Sequence, residues 1–456
     1  MGRHIWKWSR KERLNIPPLP KPVSKLQGYA KDAYRLVKVV EKGHPIFLVD
    51  GLLPQNYEPV RNNFLAAAQK DMTRKDFIFA VNKYITTLKD GHMRSWLLES
   101  EGGMNKPILL GDFLNVSWVC IDEKLYLTDE HGNPSTKQVV RIGGVDISKV
   151  YSVVEEHHYS ENHVDRMKCI AYFTRYVALI ELAGCEITDS KMTLTIDDKG
   201  KLSTVNVSTD APMPSFYNQE QHDYIIRHEI KEDVFIIDLR SCKPGKHINA
   251  TASQVEDALK AGIRKFIIDL RGNVGGIAGV GHKLLKAMGI KVPKFGVVER
   301  ISGSTALLYF LLYPLLRPWP GLFIGPLYGL FVFPFRLLLT KGFKTEPCVK
   351  KVKNPNNVFV SALTDENTYS SAMMLATWVQ DGNFGNVIGS PSSNSPSCFG
   401  DMTFYYLKTS KIMGGLSRKY FKRPEVTADP TTLKPDIEID PKSAMGAALE
   451  YLRNMQ

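Results

Sequence analysis

Two serines, one histidine and a run of glycines are the residues in this sequence whose types and surroundings can do chemistry. Ser370 and Ser371 follow the apolar run NVFVSALTD at 357–365 and open the helical pattern SSAMMLATWVQ. A hydroxyl at such a strand-to-helix turn can act as a nucleophile, because helix N-terminal N–H groups and the helix dipole stabilise an oxyanion formed beside it. Serine is also a good helix cap, so position alone leaves both readings open. The turn Gly272-Asn273-Val274-Gly275-Gly276 can aim backbone N–H groups into a cleft. Neither GK[ST] nor GxGxxG spacing follows it, which sets a phosphate loop aside. His92 stands beside Asp90 in LKDGHMRS, in a glycine-containing turn where a lone histidine is more often a surface or structural residue.

These groups need elements to hold them. Residues 29–90 read as helical, with Thr73 and Asp76 forming a capping box and Phe77, Val81, Tyr84 and Leu88 repeating on one face. Gly91 supplies the stop. From about 113 to 208 the texture changes to short β-branched runs, VVRIGGVDISKV and MTLTIDDKGKLSTVNVS, joined by Gly and Asp turns. A helical stretch near 161–184 interrupts them. Residues 213–300 alternate strand and helix and contain two nearly identical runs, FIIDLRSC at 235–242 and FIIDLRGN at 266–273. Continuous apolar runs of this kind suit strands covered on both faces of an α/β sheet.

The 456 residues are 43% hydrophobic and 23% charged, the composition of a globular chain. This excludes wholesale disorder, collagen-like repeats and a polytopic membrane protein. Fifty-nine basic against 47 acidic residues leave a net charge of +12. Half of that surplus, a net +6, sits in residues 1–26, a Pro-rich tail that also carries Trp6 and Trp8. The remainder is only mildly basic, which argues against nucleic acid as a partner. The tail reads either as a solvated extension or as a peripheral anchor to an acidic membrane surface. No apolar stretch follows its charges, so no secretory signal is expected, and Trp6 stands where a myristoylation motif wants Ser or Thr. The six cysteines are scattered without metal-ligand spacing and read as buried thiols.

One segment is unlike the rest. Residues 304–340 hold only Arg317 and Arg336 as charges, in two runs, 305–316 and 321–340, broken by RPWPG. The first reaches only ~18 Å as helix against a hydrocarbon core of ~30 Å. The second is interrupted by Gly321, Gly325, Pro326, Gly329 and Pro334. Sequence flanking the segment belongs to one domain, so both ends emerge on the same side and a single span is excluded. A shallow membrane hairpin, an interfacial plug and a buried lid or homo-oligomer interface are the remaining readings.

Several motifs together resemble the serine peptidase family of the C-terminal processing (tail-specific) peptidases and the tricorn core peptidase. IIDLRGNVGG is similar to the family's IDLRGNxGG, and TYSSAMMLA to its TxSSA segment, in which the first serine is the nucleophile. VIGSPSSNSP, LKPDIEID and LKDGHMRS resemble the strand-and-turn, the xPDIxV segment and the DGHT sequence of that family. The processing branch uses a Ser–Lys dyad, its lysine 25 places after the nucleophile. That place is Ser395 here, and no lysine lies between Ser370 and Lys408. The resemblance is therefore to the tricorn-like branch, which pairs its serine with the histidine of the DGH turn. It implies Ser370 as nucleophile, His92 as base, and an acid shortly before the xPD segment, Asp429, with Glu425 or Asp90 as alternatives. It also implies an oxyanion hole from the N–H of Ser371 and one from the Gly275–Gly276 turn. Met93 departs from the usual Thr and raises the alternative of a silent, peptide-binding member of the fold; a membrane-associated scaffold is the other.

The fold expected is an α/β (α+β mixed sheet) peptidase core with a helical N-terminal segment and a small PDZ-like β module. The boundaries are a tail at 1–26, the helical segment with the DGH turn at 27–112, the β module at 113–212 and the catalytic core at 213–456, interrupted by 304–340. The activity expected is peptide-bond hydrolysis through a Ser–His acyl-enzyme, with a peptide or protein as substrate. Neither a metal nor a cofactor is called for. The location expected is cytoplasmic, at a membrane surface.

Overall fold

The computed structural model describes residues 26–49, 51–93, 112–212, 227–300 and 343–455, together with Leu19 and residues 98–99. The apolar run 304–340 and nearly all of the basic tail lie outside the described residues.

The C-terminal half is built on a six-stranded sheet in the order Ile437–Glu438, Gly385–Gly389, Phe359–Thr364, Lys265–Asp269, Val234–Asp238 and Arg227–Lys231. All neighbours are parallel except the last pair. Side chains alternate between faces along a strand, so a sheet covered on both sides needs apolar residues throughout. Phe235, Ile237, Phe266, Ile268, Val360 and Ala362 belong to one core, shared with the helices Lys246–Lys260, Gly279–Ala287 and Ser371–Asp381. Val234, Ile236, Ile267, Leu363 and Ile388 belong to the other, covered by helix Ala444–Asn454. The twin FIIDLR runs are adjacent strands in matching register, Phe235 opposite Phe266 and Ile236 opposite Ile267.

Beyond the strands the two runs diverge, and there the polar wiring begins. Asp269 is 2% exposed and accepts from Arg240 Nη2 at 3.0 Å and from Arg271 Nε at 2.8 Å. Cys242 N–H donates to the Gly275 carbonyl, and Ile277 N–H donates back to the Cys242 carbonyl. The glycine turn is thus clamped to the strand beside it.

The N-terminal helices Gly28–Gly43, Tyr57–Ala67 and Arg74–Thr86 pack on a long antiparallel hairpin, Cys398–Leu407 with Ile412–Lys422. The Thr73–Asp76 capping box is formed, and Phe77, Val81, Tyr84 and Leu88 are fully buried. Strand Gly296–Arg300 joins the hairpin's second strand and pairs on its other side with Phe343–Glu346, Arg300 lying opposite Phe343. Residues 118–208 form a seven-stranded antiparallel sheet against which the helices Ile147–His157 and His163–Phe173 pack. Its hairpin Lys191–Asp198 and Lys201–Ser208 turns through Lys199 and Gly200, both at positive φ, as a tight two-residue turn requires. No disulfide joins the six cysteines, and Cys169, Cys185, Cys242 and Cys398 are buried.

Candidate active site

Ser370 ends a loop that is laced onto the glycine turn before it. Both carboxylate oxygens of Asp365 accept from Gly272 N–H, at 3.0 and 2.9 Å. Tyr369 N–H donates to the Asn273 carbonyl at 2.9 Å. The loop then reverses sharply into helix Ser371–Asp381, and Ser370 makes the turn at φ +52°, ψ −119°. An L-residue in that region costs on the order of 1–3 kcal/mol and persists only where its surroundings impose it. Here they do: Ser370 N–H donates to Asn394 Oδ1 at 2.7 Å, and the preceding residues are pinned as described.

The result is an outward hydroxyl facing the imidazole from the other end of the chain. His92 Nε2 lies 3.2 Å from Ser370 Oγ across 278 residues of sequence. His92 sits in a single helical turn, Gly91–Met93, seated against the hairpin, where a Cβ on Gly400 would come within 3.7 Å of Nε2. Asp90 fixes that turn by accepting His92 N–H at 2.8 Å. Its other oxygen lies 2.9 Å from His44 Nε2. His44 Nδ1 accepts Ile46 N–H, so His44 carries its proton on Nε2 and donates to Asp90. Burial alone would raise the Asp90 carboxyl, but the His44 hydrogen bond and the nearby His44 and His92 rings hold it below its ordinary value of 3.8.

The expected acid is not the one the structure places beside His92. The Asp429 carboxylate is taken up by its own turn, accepting Thr431 N–H and Oγ–H at 2.8 and 2.7 Å. No hydrogen bond or ion pair joins it to His92 among the described residues. Glu425 pairs with Lys350 and Thr427. The carboxylate near the ring belongs to Glu161, whose Oε1 is 3.8 Å from His92 Nδ1. Glu161 comes from the β module, immediately before helix His163–Phe173, in a stretch without a recognisable motif.

Gly275 N–H is engaged by Asn273 Oδ1 at 2.8 Å, which removes it from the hole. Gly276 bridges Cys242 through the groups of its neighbours, which turns its own N–H and carbonyl to the opposite side. Its carbonyl accepts Ser371 Oγ–H at 2.9 Å. The Ser371 hydroxyl is thereby tied back, while its N–H stands at the helix start beside Ser370. Gly275 contributes by its missing side chain: a Cβ there would lie 2.7 Å from Ser370 Cβ and 2.8 Å from the Tyr369 carbonyl. Gly275→Ala, also strained at φ +97°, is expected to displace Ser370 and lower kcat/KM by about 10²-fold or more. Steady-state kinetics on the folded variant check this.

Asp90, His92 and Glu161 each place one ligand atom within 4.8 Å of the others, the one such trio among the described residues. Both Asp90 oxygens already hold partners, His92 N–H and His44 Nε2, so Asp90 offers the trio no free ligand atom. A cavity of about 210 Å³ adjoins Glu161, lined among others by Tyr159, Cys398, Phe399 and Tyr420.

Residues 233–439 match the profile of Peptidase family S41. Among solved structures, mature CPAF superposes with a TM-score of 0.58 at 12% identity, covering 93% of this chain and 95% of that one. Mature CPAF complexed with lactacystin gives 0.58 and 12%, over 93% and 97%. The photosystem II D1 C-terminal processing protease gives 0.44 and 10%, over 91% and 94%. No curated protein matches the sequence. The likeness to CPAF extends over nearly the whole chain and is one of fold; the family profile falls on the segment that carries the glycine turn, Ser370 and Ser371. Over that segment the chain is similar to Peptidase family S41, a match that together with the sequence motifs points to a serine-type peptidase.

Proposed function

We propose that the chain is an endopeptidase working through an acyl-enzyme, with Ser370 as nucleophile and His92 as general base. The observation that carries this reading is the 3.2 Å approach of His92 Nε2 to the hydroxyl of a serine held at φ +52°. Oγ attacks the substrate carbonyl carbon as its proton passes to Nε2. That proton then goes to the leaving amine, and a water molecule repeats the sequence to release the acyl group. The N–H groups of Ser371 and Gly276 hold the oxyanion. The test is a fluorophosphonate probe, expected to label wild type, to label His92→Ala far more slowly, and not to label Ser370→Ala. Lactacystin, present in a CPAF structure, is a second probe of the same hydroxyl. Undiminished labelling of Ser370→Ala would overturn the assignment.

The silent-binder alternative began from Met93. That side chain is 1% exposed and packs with the N-terminal helices, so the departure from threonine alters a core contact and leaves the reacting groups in place. The PDZ-like reading of 113–212 stays within the proposal, supported by the exposed strand Lys201–Ser208, which pairs on one side only among the described residues.

Association with a membrane surface, on its cytoplasmic face, is also proposed, through 304–340 and the basic tail. It is supported by the pairing of Arg300 with Phe343, which sets the two ends of the intervening segment side by side, as a shallow hairpin needs. Lys291, Lys294 and Arg300 before it and Lys341 and Lys344 after it suit an acidic leaflet. Among the described residues no helix is long and apolar enough to cross a membrane. Deleting 304–340 is expected to release the protein from membranes in flotation assays and leave a folded core. A full-length chain that is monomeric and soluble without detergent or lipid would sink this part.

A further inference from the structure

We propose that Glu161 is the positioning acid for His92, that the bare Cα of Gly91 is what admits it, and that the β module thereby completes an active site whose nucleophile lies on the catalytic core. This rests on the Ser370–His92 reading and deepens it. If Nε2 is to accept the serine proton, Nδ1 must carry the ring's own proton, and that N–H needs an acceptor to fix the tautomer and the ring's orientation. Nδ1 is buried and has no hydrogen-bond partner among the described residues. The titratable groups placed against the ring are Asp90 on its own turn, Tyr369 at 5.1 Å between ring centroids, and Glu161. Asp90 has both oxygens engaged elsewhere, and Tyr369 Oη–H is directed to Glu161 Oε1 at 3.3 Å. Glu161 Oε1, 3.8 Å from Nδ1, is the acceptor that remains.

The carboxylate is held in a way that keeps its charge for the imidazole. Its side chain is 4% exposed. Oε2 accepts from Asn394 Nδ2 at 2.5 Å and from Ser395 N–H at 2.8 Å. These neutral donors satisfy the oxygens without cancelling the charge, and no lysine or arginine pairs with Glu161 among the described residues. Among the described residues His92, once protonated, is its one cationic partner. As Oγ attacks and Nε2 takes the proton, the imidazolium so formed faces an unneutralised carboxylate, which favours the charged ring.

Two neighbours show that the chain is built around this contact. A Cβ on Gly91 would lie 2.4 Å from Glu161 Oε1, 2.6 Å from its Cγ and 2.8 Å from its Cδ, so any other residue would expel the side chain. Asn394 uses both ends of its amide, donating to Glu161 and accepting from Ser370 N–H, and so sets acid and nucleophile in one frame. Ser395, at the position of the lysine in the processing branch, holds the acid through its N–H and donates Oγ–H to the Glu161 carbonyl at 3.1 Å. The module itself is fastened beside the nucleophile by Asn162 Nδ2, donating to the Ser392 carbonyl at 3.0 Å, and by Lys168 Nζ, donating to Asn367 Oδ1 at 2.5 Å.

The test is the pH dependence of kcat/KM for wild type, Glu161→Gln, Gly91→Ala, the double variant and Asp429→Asn, each checked for folding by circular dichroism. Glu161→Gln is expected to lose about 10²-fold in kcat/KM. Its acid limb should move down by about one pH unit, because the imidazolium loses its counter-charge. Gly91→Ala should move the limb the same way, and the double variant should be no worse than the worse single one, since both remove one contact. Asp429→Asn should leave the limb in place. An unmoved limb in Glu161→Gln, a limb moved by Asp429→Asn, or losses that multiply in the double variant would overturn the proposal. Should Glu161→Gln fail to fold, Gly91→Ala and the charge-retaining Glu161→Asp decide: the limb must move in the first and stay nearer wild type in the second. A wild type that the fluorophosphonate does not label fails at the Ser370–His92 reading, before Glu161 enters.

Discussion

Ser370→Ala is expected to remove peptide hydrolysis and fluorophosphonate labelling together, with a loss on the order of 10⁴–10⁶-fold in kcat and no loss of fold. The rate loss follows from chemistry: without Oγ no acyl-enzyme forms, and only binding and the oxyanion N–H groups remain to act on water. The retained fold follows from the contacts. Among the described residues the side chain's one hydrogen-bond partner is His92, while the bond that fixes the turn, Ser370 N–H to Asn394, is made by the backbone and survives the change. Alanine meets the same φ of +52° as serine, so the strain is carried over unchanged. A stability change within about 0.5 kcal/mol is expected, measurable by urea titration. Ser371 gives the contrast. Its hydroxyl is tied to the Gly276 carbonyl, and its N–H does not depend on the side chain. Ser371→Ala should therefore cost no more than about tenfold through a loosened oxyanion turn. A dead Ser371→Ala beside an active Ser370→Ala would place the nucleophile one residue later.

The core sheet was legible because its strands are covered on both faces and therefore lack polar interruptions. The two FIIDLR runs and NVFVSALTD are its central strands, with helices on each side. The Ser370–His92 pairing was legible only through motif order, since nothing local in LKDGHMRS says that its histidine meets a serine 278 residues away. The acid was not legible. SENHVD reads as a helix start, and it is one, with Asn162 accepting from Asp165 N–H; Glu161 before the cap carries no pattern of its own. Its role emerges from packing between two modules, which no spacing encodes. Asp429 did carry a local signal against it. In DPTT an aspartate two residues before a threonine commonly folds onto the backbone N–H ahead, and Asp429 does so with Thr431 and Thr432. Within the Gly275–Gly276 turn a similar local contact operates: Asn273, two residues before Gly275, takes up its N–H.

The pH profile tests the base directly. An imidazole must be unprotonated to accept the Ser370 proton, so kcat/KM should fall on the acid side of neutrality, by about tenfold per unit once the fall is under way. A lysine base would put that limb well above neutrality. The limb must also be separable from loss of structure, and Asp90 makes it so. Its carboxyl is held below 3.8 in the folded protein, so the stability it lends the His92 turn is present above 3.8 and lost only as pH falls through the lower folded value. Between pH 4 and 8 the turn that carries His92 keeps its Asp90 hydrogen bonds, and a fall in activity there reports the base and not unfolding. His92→Ala should lower kcat by about 10⁴-fold or more and flatten the limb, while near-ultraviolet circular dichroism stays constant over the same window. An acid limb at pH 8–9 that survives His92→Ala would remove the histidine from the mechanism.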